Sequence, residues 1–215
     1  MTTVVIGISL LLEWENMNRS KKKYFFYLFG GVLITASICV AAVYGYWAVF
    51  NYRFIAVTEG QVYQSAEIPP AKLQEVVQKY GIRSVIDLRK PGEGVDVERA
   101  ALAQVGVKHF HLPARQIPSH EVIKKYLAIL DQPEYRPVLV HCRHGEGRSV
   151  LFAAIYRIEY EGWSNERARR AARFISWIGN FRPASKKGKF IREYVPRFRA
   201  TNNLTFHSPN LHGSK

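Results

Sequence analysis

The sequence predicts an α/β domain, a central and mostly parallel sheet flanked by helices, preceded by one transmembrane helix. Three observations carry this. From residue 54 onward, short apolar runs rich in β-branched residues alternate with helical patterns, the order that gives parallel strands joined by crossover helices. The stretch from Tyr24 to Phe50, YFFYLFGGVLITASICVAAVYGYWAVF, carries no charge, and about 20 such residues span a bilayer as a helix. The apolar run VLVHC, Val138 to Cys142, opens into a turn containing Gly145 and Gly147 before another helical pattern begins.

The elements follow in order. Phe54 to Ser65, FIAVTEGQVYQS, reads as two short strands around a Glu59-Gly60 turn. Pro69-Pro70 opens a helix through Tyr80 that Gly81 closes. RSVIDL, residues 83–88, is a buried strand, and Val95 to Gln104 is helical. VKHFHL, residues 107–112, is the next strand, broken at Pro113. His120 to Leu130 forms a helix, and Pro137 leads into the strand VLVHC. A helix from Arg148 to Glu161 follows the glycine-containing turn, and Ser164 caps another with Glu166 in its first turn. Lys187 to Arg199 is a basic helical segment before a loose polar tail. The expected organisation is a short N-terminal segment (1–23), the membrane helix (24–50), the α/β domain (51–199) and a flexible tail (200–215).

A chain of 215 residues suits one domain of ordinary size plus such an appendage. Lys and Arg number 31 against 17 Asp and Glu, a net charge of +14, which points to anionic partners. Only two cysteines occur, and Cys39 lies inside the apolar stretch, so a disulfide framework with Cys142 is not expected. Arg19, Lys21, Lys22 and Lys23 precede the apolar stretch while only Arg53 follows closely. By the positive-inside rule the N-terminus stays cytoplasmic and the domain lies across the membrane, in a periplasm or its equivalent. The alternative is a signal peptide cleaved near Val40-Ala41-Ala42, against which the length of the apolar run argues. Met17, directly before NRSKKK, is an alternative start.

In parallel sheets, ligands sit beyond the carboxyl ends of the strands, where a strand turns into a helix N-terminus. The turn 142–148 has that position. Backbone N–H groups of Arg143, His144, Gly145, Glu146 and Gly147 can converge there on an anion, helped by the helix dipole, and the two glycines permit unusual backbone angles. The same field makes Cys142 a thiolate near neutral pH. Arg148 can grip two oxygens of a phosphate at once. A thiolate beneath a cradled phosphate is placed for in-line attack on phosphorus.

His141-Cys142-x5-Arg148-Ser149 resembles the HCx5R[S/T] signature of the cysteine-dependent phosphatases. Together with VYQSA, GIRSVIDLR and HFHLP, it resembles the compact bacterial dual-specificity and tyrosine phosphatases over residues 54–180. The resemblance implies a dual-specificity phosphatase-like fold without a cofactor, a phosphocysteine on Cys142, phosphoryl binding by Arg148 and thiolate departure eased by Ser149. It also implies that His141 helps set the pKa of Cys142. Relatives carry a general-acid aspartate, whereas the corresponding loop here, PARQIPSH, has no carboxylate. Glu146 is the candidate acid, with a solvated loop carboxylate as the other reading; His144, Asp87 and Asp96, the last two expected at strand ends, lie near by. Asp87 reads better as a structural hydrogen-bonder. Without an acid, leaving groups of low pKa are favoured.

Three other patterns weigh less. His109, His111, His141, Cys142 and His144 suggest zinc on paper, but the phosphate loop uses Cys142 better and no metal is expected. Arg167, Arg169, Arg170 and Arg173, with the basic run from Arg182 to Arg199, form either a solvated face or a contact for anionic lipid headgroups. No motif supports nucleic acid. The expected partners are therefore the membrane and a phosphorylated protein, with a lipid phosphate as the alternative substrate and a non-catalytic phosphate-binding module as the non-enzymatic one.

Overall fold

The computed structural model describes residues 18–176 and 179–197. The chain divides into two compact units, residues 1–50 and 51–215. In the first, helix α1 spans Arg19–Val49. It takes in the basic residues ahead of the apolar stretch, because Arg and Lys are good helix formers. At about 1.5 Å per residue its 31 residues exceed a hydrocarbon core of roughly 30 Å. The helix is long and apolar enough to cross a membrane, a test that a signal sequence also passes.

The second unit holds a five-stranded sheet in the order β1-β2-β5-β3-β4. Strands β1 (Ile55–Thr58) and β2 (Val62–Ser65) form the antiparallel pair, with Gly60 at φ +69° in the turn between them. Strands β3 (Ser84–Asp87), β4 (Lys108–His111) and β5 (Val138–His141) complete a parallel set with β2. The helices are α2 (Pro70–Lys79), α3 (Glu93–Gln104), α4 (His120–Leu130), α5 (Arg148–Tyr160), α6 (Asn165–Ile175) and α7 (Lys186–Glu193). Ser119 and Ser164 cap α4 and α6 by accepting from the N–H of Val122 and of Arg167.

Successive side chains of a strand face opposite ways, and here that alternation sorts the layers. Val62, Ile86, Val138 and Val140 face α4 and α5, meeting Tyr126, Leu127, Phe152 and Ile155. Tyr63, Val85 and Leu139 face α2 and α3, meeting Leu73, Val77 and Leu102. Helices α6 and α7 close over the outer side of α5 through Ala168, Ala172 and Ile191. Each fully buried Val, Leu or Ile contributes about 1.5–3 kcal/mol. The central strand β5 is buried at every position, so the residues at its end are held firmly.

Three expectations need correction. Helix α3 begins at Glu93, not Val95, so Asp96 lies on an exposed helix face paired with Arg99, not at a strand end. The basic segment expected as a helix through Arg199 ends at Glu193. Pro196 lacks an N–H and pushes the residue before it out of the helical region; Arg199 itself lies outside the described residues, as do 1–17 and the tail. Arg169 is no part of a solvated face. It is buried, donating to the Phe181 carbonyl (2.6 Å) and pairing with Glu166 (2.7 Å), while Arg167 stacks on Trp163 (3.8 Å).

Candidate active site

Strand β5 ends with two residues that part company. Cys142 follows Val138 and Val140 on the α5 side of the sheet, at the edge of the apolar cluster, and is 3% exposed. His141 follows Leu139 to the α3 side. The chain then turns through Arg143–Gly147 into α5. Gly145 adopts φ +66°, and a Cβ there would stand 2.6 Å from the backbone nitrogen of Ala66; both facts require glycine. Gly147 differs from expectation. Its φ is negative (−125°), and its missing side chain provides room, since a Cβ would lie 3.0 Å from Lys187 Nζ.

The Cys142 thiol lies 3.5 Å from the Ser149 hydroxyl, which donates to Gln64 Oε1 at 2.9 Å. Burial raises the thiol pKa, but the Ser149 hydroxyl, the N–H groups of Ser149 and Gly145, and the Arg148 charge outweigh it and bring the pKa below the ordinary value. Arg148 donates to the carbonyls of Leu88 and Ala114, which ties the first residue of α5 to the loops after β3 and β4. Lys187 is nine-tenths buried beside the loop, and its own pKa is lowered by burial, with the Cys142 and Arg148 charges acting in opposite directions.

Two clefts meet at Arg148 and Gln116. The narrower, about 490 Å³, is lined by Cys142, His144, Gly147 and Lys187; the wider, about 840 Å³, by Lys90, Arg115 and Arg143. Among the described residues no Phe, Tyr or Trp lines either.

His141 does not reach the thiol. Its Nε2 bonds Glu98 Oε1 at 2.9 Å, and His109 reaches the same oxygen at 3.2 Å. Arg89 joins Glu98 (2.8 Å), Asp87 (2.8 Å) and Glu67. Burial opposes ionisation of Glu98, yet the two histidines and Arg89 hold its pKa down at about 2, and Asp87 is held lower still. His109 is pushed up by the same carboxylates against the effect of burial. Asp87 is thus the structural hydrogen-bonder expected. The zinc grouping does not assemble: His111 turns to the Arg89 carbonyl (3.1 Å), and Cys142 lies on the other sheet face. What comes together instead is Asp87, Glu98 and His109, whose two carboxylates already hold a guanidinium.

Glu146 also departs from expectation. Its Oε1 pairs with Arg53 Nη2 at 2.6 Å, with the carboxylate largely covered. The carboxylate thus braces the outer edge of the loop against Arg53 while lining the narrower cleft with Cys142. Sequence reasoning did not single out Gln64 or Glu98, and it counted Arg53 only as a charge following the apolar stretch and Lys187 only within the basic segment. The one local signal was a polar residue, Gln64, inside a strand that is buried throughout.

A thiol of lowered pKa at a strand end, beside the N–H groups of Gly145 and Ser149 and the charge of Arg148, is an arrangement suited to an anion. Residues 60–187 match the family model described as DSP-PTPase phosphatase fused to NAD+ kinase, and the chain belongs to that phosphatase family. It is 34% identical over 109 residues to the dual specificity protein phosphatase TpbA of Pseudomonas aeruginosa PAO1, a match covering 50% of this chain and 47% of that one. The chain thus spans about half the length of the curated relatives it matches. The crystal structure of P. aeruginosa TpbA superposes with a TM-score of 0.54 at 25% identity, covering 74% of this chain and 92% of that one. The core catalytic domain of the PP-IP phosphatase Siw14 from S. cerevisiae (TM-score 0.55, 20% identity, covering 73% and 94%) shares the fold. So does PTPMT1 (0.55, 20%, covering 71% and 98%).

Proposed function

We propose that this protein is a membrane-anchored phosphatase that hydrolyses phosphomonoesters through a phosphocysteine on Cys142. The observation that carries the reading is the buried Cys142 thiol, its pKa lowered, opening with Arg148 onto one cleft. The thiolate attacks phosphorus as the ester P–O bond breaks, and the leaving oxygen takes the bonding pair. Water then cleaves the S–P bond, releasing phosphate and restoring the thiolate, as the Ser149 hydroxyl turns its one hydrogen from Gln64 Oε1 to the departing sulfur. Arg148, the N–H groups of residues 143–147 and Lys187 hold the phosphoryl oxygens. His141 acts at one remove, fixing the end of β5 through Glu98.

The loop after β4, PARQIPSH, holds no carboxylate, and Glu146 in the loop after β5 is engaged with Arg53, so aryl esters and phosphoanhydrides are the better substrates. Helix α1 is the anchor, and the basic residues at its start keep the N-terminus cytoplasmic and the catalytic unit outside. The kinship with TpbA supports a phosphoprotein substrate, with phosphotyrosine foremost. The exposed cations of the wider cleft favour a second reading, an anionic lipid phosphate. The deciding experiment offers the full-length protein in detergent phosphotyrosine peptides and phospholipid monoesters. Higher kcat/KM on the peptides supports the first reading, and higher kcat/KM on the lipids the second. Failure to release phosphate from any monoester overturns both.

A further inference from the structure

Arg53 stands three residues past Phe50, outside every motif, yet it touches the signature loop twice. Its Nη1 donates to the His144 carbonyl at 2.9 Å, and its Nη2 pairs with Glu146 at 2.6 Å. Its own carbonyl accepts from Gln64 Nε2 at 3.1 Å. The other end of that amide, Gln64 Oε1, takes the Ser149 hydroxyl, which faces the Cys142 sulfur. One residue earlier, the Tyr52 carbonyl accepts from Ala66 N at 2.7 Å, and Ala66 is the residue against which Gly145 packs. Both Tyr52 and Arg53 hold positive φ, 52° and 50°. Non-glycine residues adopt that region at a cost, and two in succession persist only where surrounding contacts fix them.

We propose that Arg53 is a positioning residue for the catalytic loop: it fixes the loop's outer edge at residues 144 and 146 while its carbonyl orients, through Gln64, the hydroxyl that serves the nucleophile. This rests on the phosphatase reading given above. The two contacts hold the peptide units of the loop so that their N–H groups point inward, toward the sulfur and the phosphoryl oxygens. Without them the loop loses alignment, and small misplacements in such cradles cost rate steeply. Glu146 is then the partner that makes the grip two-pronged, which a lysine at position 53 cannot reproduce.

The test uses the full-length protein in detergent and two readouts, kcat/KM on an aryl phosphate and the pH dependence of Cys142 alkylation by iodoacetamide, with thermal unfolding recorded alongside. R53A should lower kcat/KM by about 10²-fold and move the alkylation midpoint upward by about one pH unit, since the thiolate loses aligned dipoles. R53K should recover part of both effects. E146A, which leaves the His144 contact in place, should show a smaller change, and R53A/E146A should be no worse than R53A alone, because both changes remove the same contact. An R53A or R53K protein with wild-type kcat/KM and alkylation profile overturns the proposal, as does one whose only change is a lower melting temperature. Should R53A not fold, R53K and E146A decide by the same readouts. C142S separates this failure from that of the underlying reading: an active C142S protein sinks the phosphatase mechanism, whereas an inactive C142S beside an unaffected R53A sinks only the role of Arg53.

Discussion

The two faces of strand β5 are built from opposite materials. Toward α3, His141 enters a network of Glu98, Asp87, Arg89 and His109, with charges paired within 4 Å and nearly sealed from water. Toward α5, Cys142 caps an apolar cluster and opens to a cleft. Adjacent residues therefore have unlike tasks. His141 belongs to a closed ion network that fixes the strand end, and Cys142 is left facing a cleft. Each face can be broken separately.

The largest effect should come from the open face. R148K keeps a positive charge but loses the planar guanidinium, whose Nη1 donates to the Leu88 and Ala114 carbonyls and which, on the proposed function, grips the phosphoryl group with two prongs. Steady-state assays should show kcat reduced by about 10²–10³-fold, the scale for removing a preorganised donor from developing charge. A variant within tenfold of the parent would mean that Arg148 serves packing alone.

On the closed face, E98Q should act on stability before activity. Removing one charge of a buried network costs about 3–5 kcal/mol, readable as an earlier denaturant midpoint. The pH dependence follows from the sign of the shift. The unfolded carboxyl titrates near 4.5 and the folded one at about 2, so between those values the unfolded chain binds more protons and stability rises with pH. The contribution of Glu98 is complete above about pH 4.5 and is lost as pH falls toward 2. E98Q should flatten that part of the stability profile, and an unchanged slope would show that the ion network is not coupled to folding.

The smallest effect belongs to Glu146. As a brace, E146Q should slow aryl and alkyl phosphates alike, by about tenfold or less. A general acid would instead cost alkyl esters about 10²-fold while sparing p-nitrophenyl phosphate.

Much of this was legible in the sequence because it is local. The alternating pattern gave strands and helices, and the spacing from Cys142 to Arg148 with its glycines placed the site at one strand end. The supporting residues were not legible. Glu98 lies 43 residues from His141, Gln64 lies 85 from Ser149, and Arg53 lies 91 from His144. Their roles arise from β2 and β3 flanking β5 in a shuffled order, which no local pattern encodes. The ion pair of Glu146 is hidden for the same reason, since its partner Arg53 comes long before it in the chain, ahead of β1.

The central claim is that Cys142 carries the phosphoryl group during turnover. Rapid acid quenching of the enzyme working on a ³²P-labelled aryl phosphate, followed by peptide mapping, tests it directly. The account predicts label on the Cys142 peptide and none on C142S. Steady release of phosphate with no labelled enzyme, or with label on another residue, would contradict it.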